Sequence, residues 1–146
     1  MPIPEELTAS VETNGKKKIL IVDDDKSMVD SIERLLKREN KYDLEVAYDG
    51  FEAGQKFITH KPDLVILDIR MPKVDGYKLC SAIRNNPENK SVKILVISGL
   101  LGAKDKDSVM KMGADDYLLK PFDNKELKTK IADLLGFSKR AADAQK

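Results

Sequence analysis

The chain has no tryptophan, one cysteine and one histidine, and aromatics make up only 5% of it. A single cysteine excludes an internal disulfide and fits a reducing compartment. Basic and acidic side chains number 26 and 25, so no charge imbalance points to nucleic acid or an anionic membrane. No apolar run reaches the roughly 20 residues that span a bilayer. The N-terminal MPIPEELTASVETNGKKK lacks the apolar centre of a signal peptide. Cytoplasmic is therefore the expected location. No G-x-G-x-x-G follows the first apolar run, which disfavours a dinucleotide site, and no internal repeat is evident. What remains is 146 residues, 41% of them hydrophobic, enough for one domain with a sizeable core.

Five apolar runs punctuate the chain: ILIV (19–22), LEVA (44–47), LVIL (64–67), ILVI (94–97) and YLL (117–119). Helical patterns lie between them. Met28, Val29, Ile32, Leu35 and Leu36 follow helical spacing, as do Leu127, Ile131, Leu134 and Leu135. The segment DGFEAGQKFITHKP places Phe51, Phe57 and Ile58 on one side of a helix that stops at Pro62. GYKLCSAIRNN and KDKDSVMKM supply two more short helices. Alternating strands and helices imply βαβ units and a parallel sheet. ILIV, LVIL and ILVI are apolar at every position, which predicts strands buried on both faces. LEVA alternates and YLL is short, so both read as edge strands. The predicted fold is α/β: a (βα)5 doubly wound sandwich with a five-stranded parallel sheet in order 2-1-3-4-5. Residues 1–17 and 137–146 read as tails or linkers around a domain at 18–136.

Polar residues recur just after these runs. ILIV leads into Asp23, Asp24 and Asp25, LVIL into Asp68, ILVI into Ser98, and YLL into Lys120 and Pro121. In an open parallel sheet the carboxyl ends share one edge, where ligand sites form near the reversal of strand order. Clustered carboxylates repel one another, and a hard cation such as Mg²⁺ relieves this through oxygen ligands. Asp68, at the centre of the group, can act as a nucleophile toward phosphorus. Lys120 can hold a phosphoryl oxygen as a point charge, and Ser98 can bond another.

ILIVDDDKSM, LVILDIRMPKVDG, ILVISG and GADDYLLKPF together resemble, in order and spacing, the receiver domain of two-component response regulators. The resemblance implies Mg²⁺ held directly by Asp24, Asp68 and the backbone carbonyl of Arg70, with Asp23 acting through water. It implies that Asp68 takes phosphate from a histidine kinase or phosphotransfer protein while Ser98 and Lys120 bind the phosphoryl group. Ser98 and Tyr117 would form the switch, and the Lys120–Pro121 bond would be cis. The face formed by helix 4, strand 5 and helix 5 would carry the output, with homodimerisation through it as one option. No membrane and no direct nucleic-acid contact by this domain are implied. Self-catalysed phosphorylation and dephosphorylation would be its only enzymatic character. Serine at 98, glycine at 99 and leucine at 119 depart from the commoner residues without removing a reactive group.

Plainer readings stand beside these. An Asp-Asp-Asp run is usually a solvated turn, Ser98 alone could cap a helix, and Lys120 could be a surface lysine. His60 reads as a C-terminal helix residue suited to the dipole, Cys80 as an inert core thiol, and Asp115 and Asp116 as turn residues. Pro72 and Gly76 read as shaping the loop after Asp68. Two rival functions are an aspartate-nucleophile phosphohydrolase of the haloacid dehalogenase type and a degenerate receiver serving as a scaffold. The first places its nucleophile after the first strand, whereas Asp68 follows the third. The second conflicts with an intact set of reactive groups.

Overall fold

The computed structural model describes residues 16–69, 76–99 and 103–137. Among these, five strands and five α-helices alternate: β1 (Lys17–Val22), α1 (Lys26–Lys37), β2 (Tyr42–Ala47), α2 (Gly50–His60), β3 (Leu64–Asp68), α3 (Gly76–Asn85), β4 (Lys93–Ser98), α4 (Ala103–Lys111), β5 (Asp116–Leu119) and α5 (Asn124–Leu135). A 3-10 turn at Pro87–Asn89 follows α3. All strand pairs are parallel and the order is β2-β1-β3-β4-β5, as the apolar runs predict.

Each central strand feeds two cores. Successive side chains point to opposite faces, so Ile19, Ile21, Leu64 and Ile66 pack with Val29, Ile32 and Leu36 of α1 and Leu127 and Ile131 of α5. Leu20, Val22, Val65, Leu67, Ile94 and Val96 pack with Ala53 of α2, Cys80 and Ile83 of α3 and Val109 of α4. This is why every position of ILIV, LVIL and ILVI is apolar. Each fully buried Leu, Ile or Val contributes about 1.5–3 kcal/mol relative to exposure. Lys17, at the edge of the expected N-terminal tail, already belongs to β1, and Phe137 packs edge-on against Tyr42 with ring centroids 6.0 Å apart.

Helix α2 departs from its predicted orientation. Phe57 does pack against the core, but Phe51 and Ile58 are 77% and 70% exposed, and small Ala53 is the fully buried residue. The core under α2 is shallow enough that an alanine sets its depth, and the two larger residues point outward. His60 stands in the last turn of α2, as expected, and its Nε2 also lies 3.2 Å from the Asp43 carbonyl oxygen on β2.

Three aspartates start helices. Asp25 accepts from the Met28 N–H, Asp49 from the Glu52 N–H and Asp123 from the Glu126 N–H. Such N-caps contribute about 1 kcal/mol each. Glu52 in turn accepts from the N–H of Tyr48, the residue before the cap, at 2.7 Å. Gly76 opens α3 for a reason of space: a Cβ there would lie 2.6 Å from the Ile69 Cα.

Candidate functional site

The carboxyl ends of β1, β3, β4 and β5 line one edge, and the charged residues gather there. Asp23 directly follows β1 and is buried, with its N–H donating to the Ala47 carbonyl. Asp68 is the last residue of β3 and only 8% exposed, so the carboxylate that ends this core strand is covered while still at its rim. Ser98 is the last residue of β4 and fully buried. Lys120 directly follows β5, and its N–H donates to the Ser98 carbonyl at 2.9 Å. The Lys120–Pro121 bond is cis, as the resemblance implies.

Asp23, Asp24 and Asp68 each offer a carboxylate oxygen, and the three oxygens lie within 4.8 Å of one another. Asp24 is exposed and the other two are buried. Lys120 reaches into this group, with Nζ 3.1 Å from Asp68 Oδ2 and 3.5 Å from Asp23 Oδ2. Burial pushes the Asp23 carboxyl up to about 6; the Asp25 N–H opposes this, nearby Asp68 adds to it, and Lys120 opposes it. Burial alone would lower the Lys120 amine, but Asp23 and Asp68 outweigh it and raise the amine above its usual range. One lysine thus faces several carboxylates, and three hard oxygens converge at a spacing one small cation can bridge. This donor set fits Mg²⁺. The third member of the Asp-Asp-Asp run, Asp25, is spent on capping α1, and its N–H donates to Asp23 Oδ1 at 3.0 Å. Arg70 and Pro72 lie outside the described residues.

Tyr117 lies on β5, half-buried, between two cations: Lys106 Nζ is 5.1 Å and Lys130 Nζ 6.0 Å from its ring centroid. An added Cβ at Gly99 would meet the Lys120 Cβ at 3.7 Å, an ordinary contact, so nothing there demands glycine.

One polar centre escaped the sequence reading. Arg84 of α3 donates to the carbonyls of Gly113 (3.0 Å), Asn89 (3.2 Å) and Val92 (2.8 Å), and pairs with Asp115 at 2.8 Å. Asp115 Oδ2 also accepts from the Ile94 N–H at the start of β4. This cluster sits at the opposite edge of the sheet, so Asp115 is a structural clamp rather than a simple turn residue. The only trace of it in the sequence is an aspartate placed just before a strand.

The family model for the response regulator receiver domain matches residues 19–132. The chain belongs to the response regulator receiver family. A receiver domain from Bermanella marisrubri shares the fold with a TM-score of 0.76 and 45% identity, covering 82% of this chain and 98% of that one. The alkaline phosphatase synthesis transcriptional regulatory protein PhoP of Bacillus subtilis is 39% identical over 126 residues, which are 86% of this chain and 51% of PhoP. Protein PilG of Pseudomonas aeruginosa is 38% identical over 110 residues, 75% of this chain and 81% of PilG. This receiver domain spans about half the length of several curated transcriptional regulators that it matches. No helix among the described residues is long and apolar enough to cross a membrane.

Proposed function

We propose that this receiver domain is a phosphorylation-dependent switch in which Asp68 accepts a phosphoryl group. The observation that carries this is Lys120 Nζ, 3.1 Å from Asp68 within a group of carboxylates at the carboxyl edge of the sheet. A carboxylate oxygen of Asp68 bonds phosphorus as the donor's bond to phosphorus breaks, the leaving group keeping that electron pair. Lys120 holds one phosphoryl oxygen and Ser98 donates to another. Asp24, Asp68 and the Arg70 carbonyl would hold Mg²⁺, with Asp23 contacting it through water. When bound, the ion neutralises carboxylate charge that would otherwise repel an anionic donor. A histidine kinase or histidine phosphotransfer protein is the proposed donor, a reading that membership of the receiver family supports.

The added group brings about two negative charges and three acceptor oxygens. Ser98 has a short side chain, so its hydroxyl moves toward phosphate to donate. That movement vacates space beneath α4, and Tyr117 turns inward to fill it. The α4–β5–α5 face then changes what it offers a partner or a second copy. Both states are sampled beforehand and phosphate shifts their populations.

Incubation with acetyl phosphate and Mg²⁺ should add one phosphoryl group by intact-mass spectrometry, and Asp68→Asn should show none. Equal labelling of that variant would remove Asp68 from the proposal. Beryllofluoride with Mg²⁺ should shift NMR signals of Tyr117 and α4 as well as those beside Asp68. Shifts confined to the pocket would remove the coupling while leaving the phosphoacceptor role intact.

A further inference from the structure

Helix α2 turns an apolar stripe outward. Phe51, Gly54 and Ile58 sit at i, i+3 and i+7, one line along the helix. Phe51 and Ile58 are the most exposed large apolar residues among those described. At Gly54 a Cβ would meet nothing within 4 Å, so the middle of the stripe is a gap into which another side chain can descend. Beside the stripe runs an open cleft of about 580 Å³ between α2 and α3, and its far wall includes Leu79 and Ala82.

The titratable side chains of α2 are engaged elsewhere. Lys56 donates to the Val46 carbonyl at 2.7 Å and pairs with Glu45 at 3.2 Å and Glu52 at 3.5 Å. His60 lies against the Asp43 carbonyl. These partners belong to β2 or to α2 itself. The outward strip, with exposed Gln55 and Thr59 beside the apolar stripe, therefore carries no charge in a chain that is 35% charged. The two ends of α2 differ in sign. Asp49 and Glu52 stand at the amino end, His60 and Lys61 at the carboxyl end.

We propose that α2 is a contact surface for a second copy of this chain, the two α2 helices crossing antiparallel at Gly54 and Gln55. The stripe is self-complementary in that arrangement. A two-fold axis midway between residues 54 and 55 pairs each position with the one equally far on the other side. Phe51 then meets Ile58 of the second copy, and Ile58 meets its Phe51. Gln55 of each copy stands over Gly54 of the other, where the missing Cβ leaves room. The same crossing sets the acidic amino end of each helix beside the basic carboxyl end of the other and opposes the helix dipoles, whereas a parallel crossing would set like ends together. The 11-residue helix is about 16 Å long. A contact made by it and the cleft wall stays below the roughly 1,200 Å² of stable complexes, so the dimer is transient. It forms beside edge strand β2, at the far side of the sheet from the α4–β5–α5 face, and needs no phosphoryl group.

Sedimentation of the full chain without a phosphodonor, from about 10 µM to about 1 mM, tests this. The weight-average mass should rise from that of one chain toward that of two. Ile58→Asp, at an exposed position, should hold it at one chain, because the carboxylate would face Phe51 of the second copy. Gly54→Leu has room within its own fold and adds apolar surface, yet it should weaken the dimer about tenfold by filling the crossing. A mass fixed at one chain, a dimer that survives Ile58→Asp, or a stronger dimer in Gly54→Leu would overturn the proposal. A spin label on Thr59→Cys reads the orientation, since native Cys80 is buried and escapes labelling. Mixed with isotope-labelled unaltered chains, it should broaden the amides of Gly50 and Phe51 most. Strongest broadening at Thr59 and His60 would mean a parallel crossing and would also overturn it.

Discussion

The two edges of this sheet use carboxylates in opposite ways. At the amino edge, Asp63 accepts from the Lys18 N–H and Asp115 from the Ile94 N–H, each fastening the start of a central strand. Asp115 also meets Arg84, whose other donors are taken up by carbonyls. At the carboxyl edge, Asp23, Asp24 and Asp68 crowd within 4.8 Å and share Lys120. One edge gives its carboxylates donors and holds the fold; the other gathers like charge, which costs stability that a bound cation can recover. A buried polar cluster is stabilising when its partners are present and costly when they are not.

Substitution at the two edges should therefore have opposite signs. The largest effect is expected at the amino edge. Arg84→Ala removes the guanidinium from Asp115 and from the carbonyls of Gly113, Asn89, Lys90 and Val92 and should cost about 2–3 kcal/mol in urea unfolding. Arg84→Lys should recover only part of this, because an ammonium cannot reproduce the guanidinium fork. Full recovery by lysine would mean that charge alone matters there. At the carboxyl edge, Asp24→Asn should stabilise the metal-free fold by about 1 kcal/mol through lost repulsion and should weaken Mg²⁺ binding in a metal titration. Lower stability with unchanged Mg²⁺ affinity would erase the contrast between the edges.

The smallest effect concerns Cys80, which lies beside the clamp with Sγ 3.6 Å from the Met112 carbonyl. Burial pushes this thiol up from 9.0 to about 11, with Arg84 opposing and Asp115 adding. Below pH 9 the thiol is neutral in both folded and unfolded chains. Above it the unfolded thiol ionises first, so its contribution to stability is lost between pH 9 and about 11. Iodoacetamide at pH 8 should therefore label Cys80 only through unfolding, and faster in Arg84→Ala than in the unaltered protein. Equal rates in the two would detach Cys80 from the clamp.

The sequence revealed the fold through its uniformly apolar runs, because only strands covered on both faces demand ILIV, LVIL and ILVI. It revealed the candidate site because Asp23, Asp68, Ser98 and Lys120 each end or follow a strand, and parallel strands bring such positions to one edge. It misdirected at α2, where helical spacing of Phe51 and Ile58 could not say which side of the helix met the sheet; the depth of the core under Ala53 decided that. It was silent on the Arg84 clamp, whose partners are separated by 29 and 31 residues and carry no periodic signature. It also could not divide labour within the Asp-Asp-Asp run, where backbone direction sends Asp25 to the α1 cap and leaves Asp23 facing Lys120.

Gly76 carries a consequence for engineering. Its Cα has no substituent because the Ile69 backbone occupies that space, with the nearest atom only 2.6 Å from where a Cβ would stand. Ile69 just past the end of β3 and Gly76 at the start of α3 therefore form a clasp whose two jaws already touch. Widening the clasp itself, by as little as one methyl group at position 76, would pry the helix from the strand that ends in Asp68.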